Sequence, residues 1–133
     1  MKRFARPVAT AVLGAWLLAP ALMHAQEPPG RTELRRADLS GAPGMEVVLS
    51  IQEWKPGDEI AAHLHHGIEA GYFLEGGMVQ SPGQPPRAIA SGQPIFNLRD
   101  AVHAGYKVVG DKPLKLLTVH VVDKGKPLYE AGK

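Results

Sequence analysis

The chain has no cysteine among its 133 residues, so it has neither disulfide bonds nor thiolate ligands for a metal ion. Aromatic residues make up only 6% of it, which leaves few large side chains to fill a core. No long stretch has the periodicity of an amphipathic helix, and no repeat of roughly 20 to 50 residues is visible. These absences argue against a helical bundle, a solenoid and a domain held by disulfides.

One long apolar run is present, from Val8 to Met23, and three basic side chains precede it. A basic start followed by a short apolar core is the pattern of a secretory signal peptide. Gly14 and Pro20 interrupt the run, which is also short for a membrane span, so no stable membrane anchor is expected. We therefore predict export to the periplasm or the medium, with cleavage after Ala25, or after Ala21 as an alternative.

The charge balance changes once residues 1–25 are removed. They carry three of the 15 basic side chains and none of the 13 acidic ones, so 12 basic residues remain against 13 acidic ones. The remaining chain is close to neutral and has no basic stripe with interleaved aromatic residues. Nucleic acid is therefore not an expected partner.

The rest of the chain shows the patterning of an all-β domain. Short alternating segments are separated by turns rich in glycine and proline, which predicts a small antiparallel β-barrel or jelly roll. We divide the chain into a signal peptide (1–25), an N-terminal arm (26–44) and a barrel domain with a C-terminal tail (45–133). Residues 123–128 are expected to leave the barrel. Candidate strands cover residues 32–39, 46–54, 60–65, 71–75, 78–80, 87–90, 93–97, 104–109 and 114–122.

Alternation with period two assigns the side chains of the two longest strands to opposite faces. It does not say which face points inwards. In the strand over 46–54, one face carries Val47, Leu49 and Ile51, and the other carries Val48, Ser50 and Gln52. In the strand over 114–122, one face carries Leu116, Thr118, His120 and Val122.

His63 and His65 are two residues apart, so an extended backbone would point both imidazoles to the same side. Glu69 follows after a short segment, His66 to Ile68, which is predicted to turn the chain into the next strand. Two imidazoles and a carboxylate form a ligand set suited to borderline divalent metals. The sequence therefore predicts a site for Fe(II), Mn(II), Ni(II) or Zn(II).

At these positions the sequence resembles the cupin superfamily, whose first motif reads Gly-x5-His-x-His-x3-4-Glu-x6-Gly. The residues that match this spacing are Gly57, His63, His65, Glu69 and Gly76. The second motif reads Gly-x5-Pro-x-Gly-x2-His-x3-Asn, and Gly92 and His103 stand at the right separation. Leu98, Asp100 and Lys107 replace its proline, second glycine and asparagine.

The resemblance implies a double-stranded β-helix in which His103 is the fourth metal ligand, and it implies a homodimer formed through edge strands. Asp100 tolerates the left-handed backbone region better than most residues, so we expect it to make the turn that presents His103.

Two further histidines have open roles. His120 is a candidate catalytic acid or base, a pocket residue, or a substitute for His103 on the metal, because its reference pKa lies near 6.5. The alternative for His120 is a buried histidine satisfied by the backbone. His66 is interpreted as a turn or rim residue, with substrate contact as the other possibility.

The function hypothesis is an exported metal-binding protein, such as a metal-dependent oxygenase or related enzyme, that acts on a small organic molecule. A non-catalytic module that binds a metal or small ligand for sensing or storage is the alternative. Fold and ligand set do not choose between these two. A structural barrel without any metal is a third possibility.

Overall fold

The computed structural model describes residues 28–132, and the predicted signal peptide lies outside them. Every regular element in that part of the chain is a β-strand, which confirms the predicted all-β class. None of its segments is a helix long and apolar enough to cross a membrane. The strands are β1 (Arg31–Asp38), β2 (Met45–Trp54), β3 (Glu59–Ile60), β4 (His63–Leu64), β5 (Gly67–Glu75), β6 (Gly77–Gln80), β7 (Arg87–Ile89), β8 (Pro94–Asn97), β9 (Tyr106–Val109), β10 (Leu114–Asp123) and β11 (Glu130–Ala131).

Two main sheets form the barrel. One has five strands in the order β1-β2-β10-β5-β8, and the other has four in the order β3-β9-β6-β7. A small sheet of β11 and β4 lies beside them. All pairings between these strands are antiparallel, so each strand can bury one face against the opposite sheet.

The larger core cluster draws on both sheets, and its members are buried apolar side chains. They are Trp54, Ile60, Phe73, Val79, Ile89, Val108, Leu114 and Leu116. A second, smaller cluster consists of Val48, Val122, Leu128 and Tyr129. The inner residues between these clusters are largely polar, and they include the predicted site.

Several sequence-based predictions of strands are confirmed. The arm contains an edge strand, β1, and β6 and β7 form the predicted hairpin. The turn before β3 has Gly57 at φ 98°, the left-handed region that glycine adopts without steric cost.

The predicted ligand strand over 60–65 is broken into β3 and β4, and its two halves pair with different strands. β3 pairs with β9, whereas β4 pairs with β11. Between them, the Ala62 carbonyl accepts a hydrogen bond from the Gly132 amide at 3.0 Å. The next strand also begins earlier than predicted, at Gly67, so Glu69 lies within β5 and not in a turn.

The prediction that residues 123–128 lead the chain away from the barrel is wrong. The chain reverses at a turn in which the Lys126 amide donates to the Asp123 carbonyl and Gly125 has φ 80°. Leu128 and Tyr129 are then buried, and β11 pairs with β4. Burial of these two apolar side chains is the driving force that returns the chain to the barrel.

Candidate metal centre

Five side chains that can bind a metal converge inside the barrel. The four predicted ligands lie together, and His120 joins them. The ligand atoms of His63, His65 and His103 lie within 4.8 Å of one another, and so do those of His65, Glu69 and His120. The two groups share His65, so all five side chains form one cluster.

The members of the cluster come from different strands and from the segments next to them. His63 is in β4, and His63 and His103 exchange backbone hydrogen bonds of 3.1 and 2.9 Å. Glu69 in β5 is the direct cross-strand partner of His120 in β10. The rings of His63 and His65 are 4.9 Å apart between centroids, as expected if both imidazoles point to one side.

Three of the imidazoles are oriented by backbone carbonyls. The Nδ1 atoms of His63, His65 and His103 lie 2.7, 2.5 and 2.9 Å from the carbonyl oxygens of Ala61, Leu128 and Ala101, respectively. An Nδ1–H that donates to a carbonyl leaves Nε2 with a free lone pair, the form in which histidine binds metals. The Nε2 atoms of His65 and His103 are buried and have no hydrogen-bond partner. Such unsatisfied acceptors fit a metal ion.

The Glu69 carboxylate lies among these imidazoles. Its Oε2 is 3.4 Å from Nε2 of His65 and 3.3 Å from Nε2 of His103, and its Oε1 is 3.3 Å from Nε2 of His120. Asn97 fixes the carboxylate by donating from Nδ2 to Oε2 at 2.7 Å. Burial alone would raise the pKa of Glu69, but the surrounding imidazoles outweigh it and keep the pKa below its usual range. Glu69 is therefore ionised and could supply an oxygen ligand to a metal.

Burial sets the protonation of the outer imidazoles. It lowers the pKa of His63 to about 4, so this ring is neutral at physiological pH and available as a ligand. Burial also acts to lower the pKa of His103, but the neighbouring Glu69 carboxylate reverses the effect and raises it. Burial therefore dominates at His63, whereas the Glu69 carboxylate dominates at His103.

His120 is fully buried, and both of its ring nitrogens lack a hydrogen-bond partner. Burial lowers its pKa, so the ring is neutral. It touches Glu69 but does not line the pocket described below. No backbone group among residues 28–132 forms a hydrogen bond with this ring, so the alternative of a histidine satisfied by the backbone is wrong. A catalytic role for His120 stays a prediction, and its position favours contact with Glu69 or a metal over contact with a substrate.

The loop that carries His103 contains two non-glycine residues with positive φ. Asp100 has φ 59° and Ala104 has φ 63°. The Asp100 amide donates to the His65 carbonyl at 2.9 Å, which ties the loop to the first ligand segment. The prediction that Asp100 adopts the left-handed region where the second motif has glycine is confirmed.

His66 points away from the metal cluster. Its Nδ1 is 2.9 Å from Oδ1 of Asp100, and its Nε2 is 2.7 Å from Oε2 of Glu130. These carboxylates raise the pKa of His66, with the hydrogen bond to Glu130 as the largest cause. These contacts favour the turn or rim interpretation of His66, and the imidazole links the His103 loop to β11.

Sequence reasoning missed two residues that shape the site, Tyr129 and Asn97. The Tyr129 ring lies 5.0 Å from His63, 4.9 Å from His65 and 5.9 Å from His120 between centroids. Its hydroxyl is 2.8 Å from Nε2 of Gln52. Only the pairing of β8 with β5, in which Asn97 is opposite Glu69, could have revealed Asn97 in advance.

A pocket of about 210 Å³ opens onto one side of the cluster. His63, Glu69 and His103 lie at this pocket, and seven of its fifteen lining residues are apolar. Its remaining polar side chains are Gln52, Arg87, Gln93, Asn97 and Tyr106. A metal bound by the cluster would be accessible to a small molecule from this side.

No protein-family model matches the sequence, and no curated protein matches it either. Solved structures do match. An uncharacterized conserved protein with a double-stranded beta-helix domain from Klebsiella pneumoniae superimposes with a TM-score of 0.57 at 18% identity, over 83% of this chain and 92% of that one. The polyketide cyclase RemF from Streptomyces resistomycificus gives 0.52 at 23% identity, over 80% and 73% of the two chains.

A structure of the DMSP lyases RdDddP and RnDddQII gives a TM-score of 0.51 at 20% identity. The match covers 65% of this chain but only 44% of the lyase chain, so this chain spans less than half the length of that protein. At these identities the likeness concerns the fold. The chain has the double-stranded β-helix fold of the cupins, as its motifs predicted.

Proposed function

We propose that the protein is an exported metalloenzyme, an oxygenase or related enzyme that acts on a small organic molecule. The proposed ligands of its divalent metal are His63, His65, Glu69 and His103. The observation that carries this proposal is that the Nδ1 atoms of His63, His65 and His103 face backbone carbonyls, while the Nε2 atoms of His65 and His103 lie 3.4 and 3.3 Å from one buried carboxylate, that of Glu69. Such preorganisation is typical of metal sites.

The chain's own residues position and shield this centre. Asn97 fixes the Glu69 carboxylate, and Tyr129 packs against the imidazoles of His63 and His65. A bound divalent ion supplies Lewis-acid polarisation of a coordinated group and, if it is redox-active, electron transfer to dioxygen. The pocket gives a small molecule access to His63, Glu69 and His103, and its lining also includes apolar side chains.

Metal content tests the proposal first. We expect about one ion per chain in the wild-type protein and a small fraction of that in the variant carrying His63→Ala and His65→Ala. His66→Ala is the matched control, since this adjacent imidazole binds carboxylates at the rim. Elemental analysis of protein purified from its natural compartment gives both the amount and the identity of the metal. Equal metal content in all three proteins would contradict the proposal.

Turnover distinguishes an enzyme from a binding module. Protein loaded with Fe(II), Mn(II), Ni(II) or Zn(II) is supplied with thiols, diketones and catechols while oxygen consumption and products are followed. Oxygen uptake that depends on Fe(II) and disappears in the double variant is the expected result. Metal binding without turnover of any compound would favour the non-catalytic alternative.

We propose export on the basis of the basic and apolar pattern before residue 26. Mass spectrometry of the protein from the periplasm or medium should give a chain that begins at Gln26, or at Leu22 if cleavage follows Ala21. A chain that retains Met1 in the cytoplasm would contradict it.

We also propose a homodimer, in which the outer face of the five-stranded sheet meets the same face of a second copy. The edge strand β1 is rich in charged residues, which disfavours the pairing of strands edge to edge. The outer face, by contrast, has an uncharged centre formed by alternate residues of β2, β10, β5 and β8. These residues are Val47, Leu49, Ile51, Leu117, Val119, Val121, Ile68, Ala70, Tyr72 and Phe96.

Charged pairs surround this apolar centre. Lys115 lies 3.6 Å from Glu53 and 3.7 Å from Glu75 at one end, and Arg99 pairs with Asp123 at 2.8 Å at the other. An apolar centre with a polar rim is the usual anatomy of an interface. Strand length and spacing give the face a footprint of roughly 30 by 20 Å. Its accessible area is therefore comparable to the roughly 800 Å² per subunit of a stable dimer.

A further inference from the structure

The pocket beside the metal cluster has a single cationic side chain, Arg87. Opposite charge comes only from Glu69, which lies among the imidazoles. Most of the remaining wall is apolar and consists of Trp54, Ile60, Phe73, Ile89, Ile95, Ala104 and Leu116. The pocket therefore combines an apolar body with one isolated positive group, an arrangement that suits an amphipathic anion.

Arg87 lies at the first residue of β7, an edge strand of the four-stranded sheet. Its guanidinium carbon is 5.7 Å from the centroid of the Tyr106 ring, a cation–π contact that orients the group. Within residues 28–132 no carboxylate forms an ion pair with it. The guanidinium donors therefore remain available for a ligand at the exposed end of the pocket.

Tyr106 connects this end of the pocket with the metal cluster. Burial raises the pKa of its phenol, the Glu69 carboxylate adds to the increase, and the Arg87 guanidinium opposes it. Arg87, Tyr106, His63, Glu69 and His103 all line the same pocket. A molecule in the pocket can therefore approach Arg87 with one end while its other end faces the proposed metal ligands.

The charge of the filled site favours an anion. A divalent cation exceeds the charge of one carboxylate, so the cluster with its metal has a positive net charge when its histidines are neutral. Arg87 adds a second positive charge from the rim. Phosphate groups are usually held by several donors, including backbone amides, whereas one planar guanidinium matches the two oxygens of a carboxylate.

We propose that this pocket binds a small organic carboxylate, whose carboxylate group contacts Arg87 and whose short apolar body fills the space towards the metal ligands. The inference rests on the proposed function in that it names the substrate class of the same site. A volume of about 210 Å³ equals that of about seven molecules of liquid water. The ligand is therefore limited to a body the size of a branched short-chain acid or a single ring.

Isothermal titration calorimetry with two matched pairs of probes tests the proposal: isovalerate with isovaleramide, and benzoate with benzamide. Each amide keeps the apolar body of its acid but has no negative charge. The proteins are the zinc-loaded wild type, Arg87→Gln, Arg87→Lys and Lys107→Gln. Lys107 is the matched control because it is an exposed cation on β9 that does not line the pocket.

We expect the wild type to bind at least one acid more tightly than its amide, by about tenfold or more. Arg87→Gln should weaken binding of that acid by about ten- to a hundredfold and leave the amide within about twofold. Arg87→Lys should lose less, because it keeps the charge but not the planar fork. Lys107→Gln should behave like the wild type. The melting temperature of each variant verifies that it is folded.

Two results would overturn the proposal. An acid that binds wild type and Arg87→Gln equally well takes its affinity from the metal and not from Arg87. Failure of both acids to bind more tightly than their amides would show that the pocket does not select anions. Zinc content is measured on the same samples, and the titrations are repeated on metal-free protein. A protein that takes up no zinc refutes the proposed metal site. The carboxylate proposal is then tested by whether binding of the acids to the metal-free protein still depends on Arg87.

Discussion

The two faces of the five-stranded sheet differ most near the middle of its strands. There the inner face buries mainly polar residues, with apolar core residues such as Trp54, Leu116 and Val122 towards the strand ends, whereas the outer face is apolar. The buried polar side chains are Glu46, Ser50, Gln52, Glu69, Thr118 and His120. Tyr72 and Phe96 on the outer face remain 51% and 63% exposed. The polar inner face agrees with the proposed metal site, and the apolar outer face agrees with the proposed dimer.

The inner polar groups are tolerated largely because they bond to one another. Gln52 donates to the Tyr129 hydroxyl at 2.8 Å and lies 3.4 Å from the Thr118 hydroxyl, and Arg36 pairs with Glu46. Ser50 and the imidazole nitrogens of His120 have no partner, and they lie on neighbouring strands. Within the described part of the chain, Trp54 Nε1 is also without a hydrogen-bond partner, so the unsatisfied buried atoms include those of the proposed metal site but are not confined to it.

The largest expected effect comes from placing a charge on the apolar outer face, which we propose is buried in the dimer. Val119 lies on the central strand β10, opposite Leu49 of β2 and Ala70 of β5. We expect Val119→Glu to weaken the proposed dimer by about 2–4 kcal/mol, or roughly 30- to 1,000-fold, because the buried charge has no partner. Analytical ultracentrifugation over a concentration series measures this change.

Lys112→Glu is the control for that experiment, since it changes charge in an exposed turn away from the sheet face. A wild-type protein that stays monomeric at the highest concentration would refute the dimer. The apolar face would then require a different covering partner.

On the inner face, the ion pair at the edge of the sheet gives the next largest effect. Glu46 is 5% exposed, and Arg36 is its partner. Arg36→Met should lower the free energy of unfolding by about 1–3 kcal/mol, because a buried carboxylate loses its partner. Urea denaturation measures the change. Arg35→Met, on the same strand but without such a partner, should change stability by less than about 0.5 kcal/mol, and equal effects of the two variants would contradict the argument.

The smallest effect concerns Glu33, the second carboxylate bound by Arg36. Hydrogen bonding from Arg36 is the main cause that lowers the pKa of Glu33 from 4.5 to about 2. A lowered pKa means that the stabilisation is complete above the unfolded value of 4.5 and disappears as the pH falls towards 2. About a third of the Glu33 side chain is exposed, so water limits the contribution to about 0.5–1 kcal/mol.

Thermal unfolding between pH 2 and 7 tests this dependence with the wild type and Glu33→Gln. Their melting temperatures should differ above about pH 5 and converge near pH 2. A difference that stays constant over the whole range would show that Glu33 acts by packing and not by charge.

Local patterns sufficed for much of the fold. Alternation over 46–54 and 114–122 predicted β2 and β10 almost to the residue, and motif spacing brought together His63, His65, Glu69 and His103. The inward face of those strands could not be predicted, because hydrophobicity alone would place Val47 and Leu49 inside. The polar interior is explained only by contacts between residues that are distant in sequence.

Those distant contacts also account for the parts of the site that were missed. Asn97 and Tyr129 act through register and chain reversal, and neither lies within a recognisable motif. The break at residues 61–62 likewise depends on the pairing of β4 with β11, which no local pattern announces. The candidate ligands were predictable from their spacing, whereas the residues that hold those ligands in place were not.

The chain reversal after Asp123 bears on when the protein can bind a metal during synthesis and export. Leu128 supplies the carbonyl opposite Nδ1 of His65, and Tyr129 covers three of the imidazoles. A nascent polypeptide that ends before these residues has the histidines but lacks the carbonyl that orients His65 and the ring that packs against three imidazoles. If the chain is exported unfolded, the ion would be chosen outside the cytoplasm, from whatever that compartment offers.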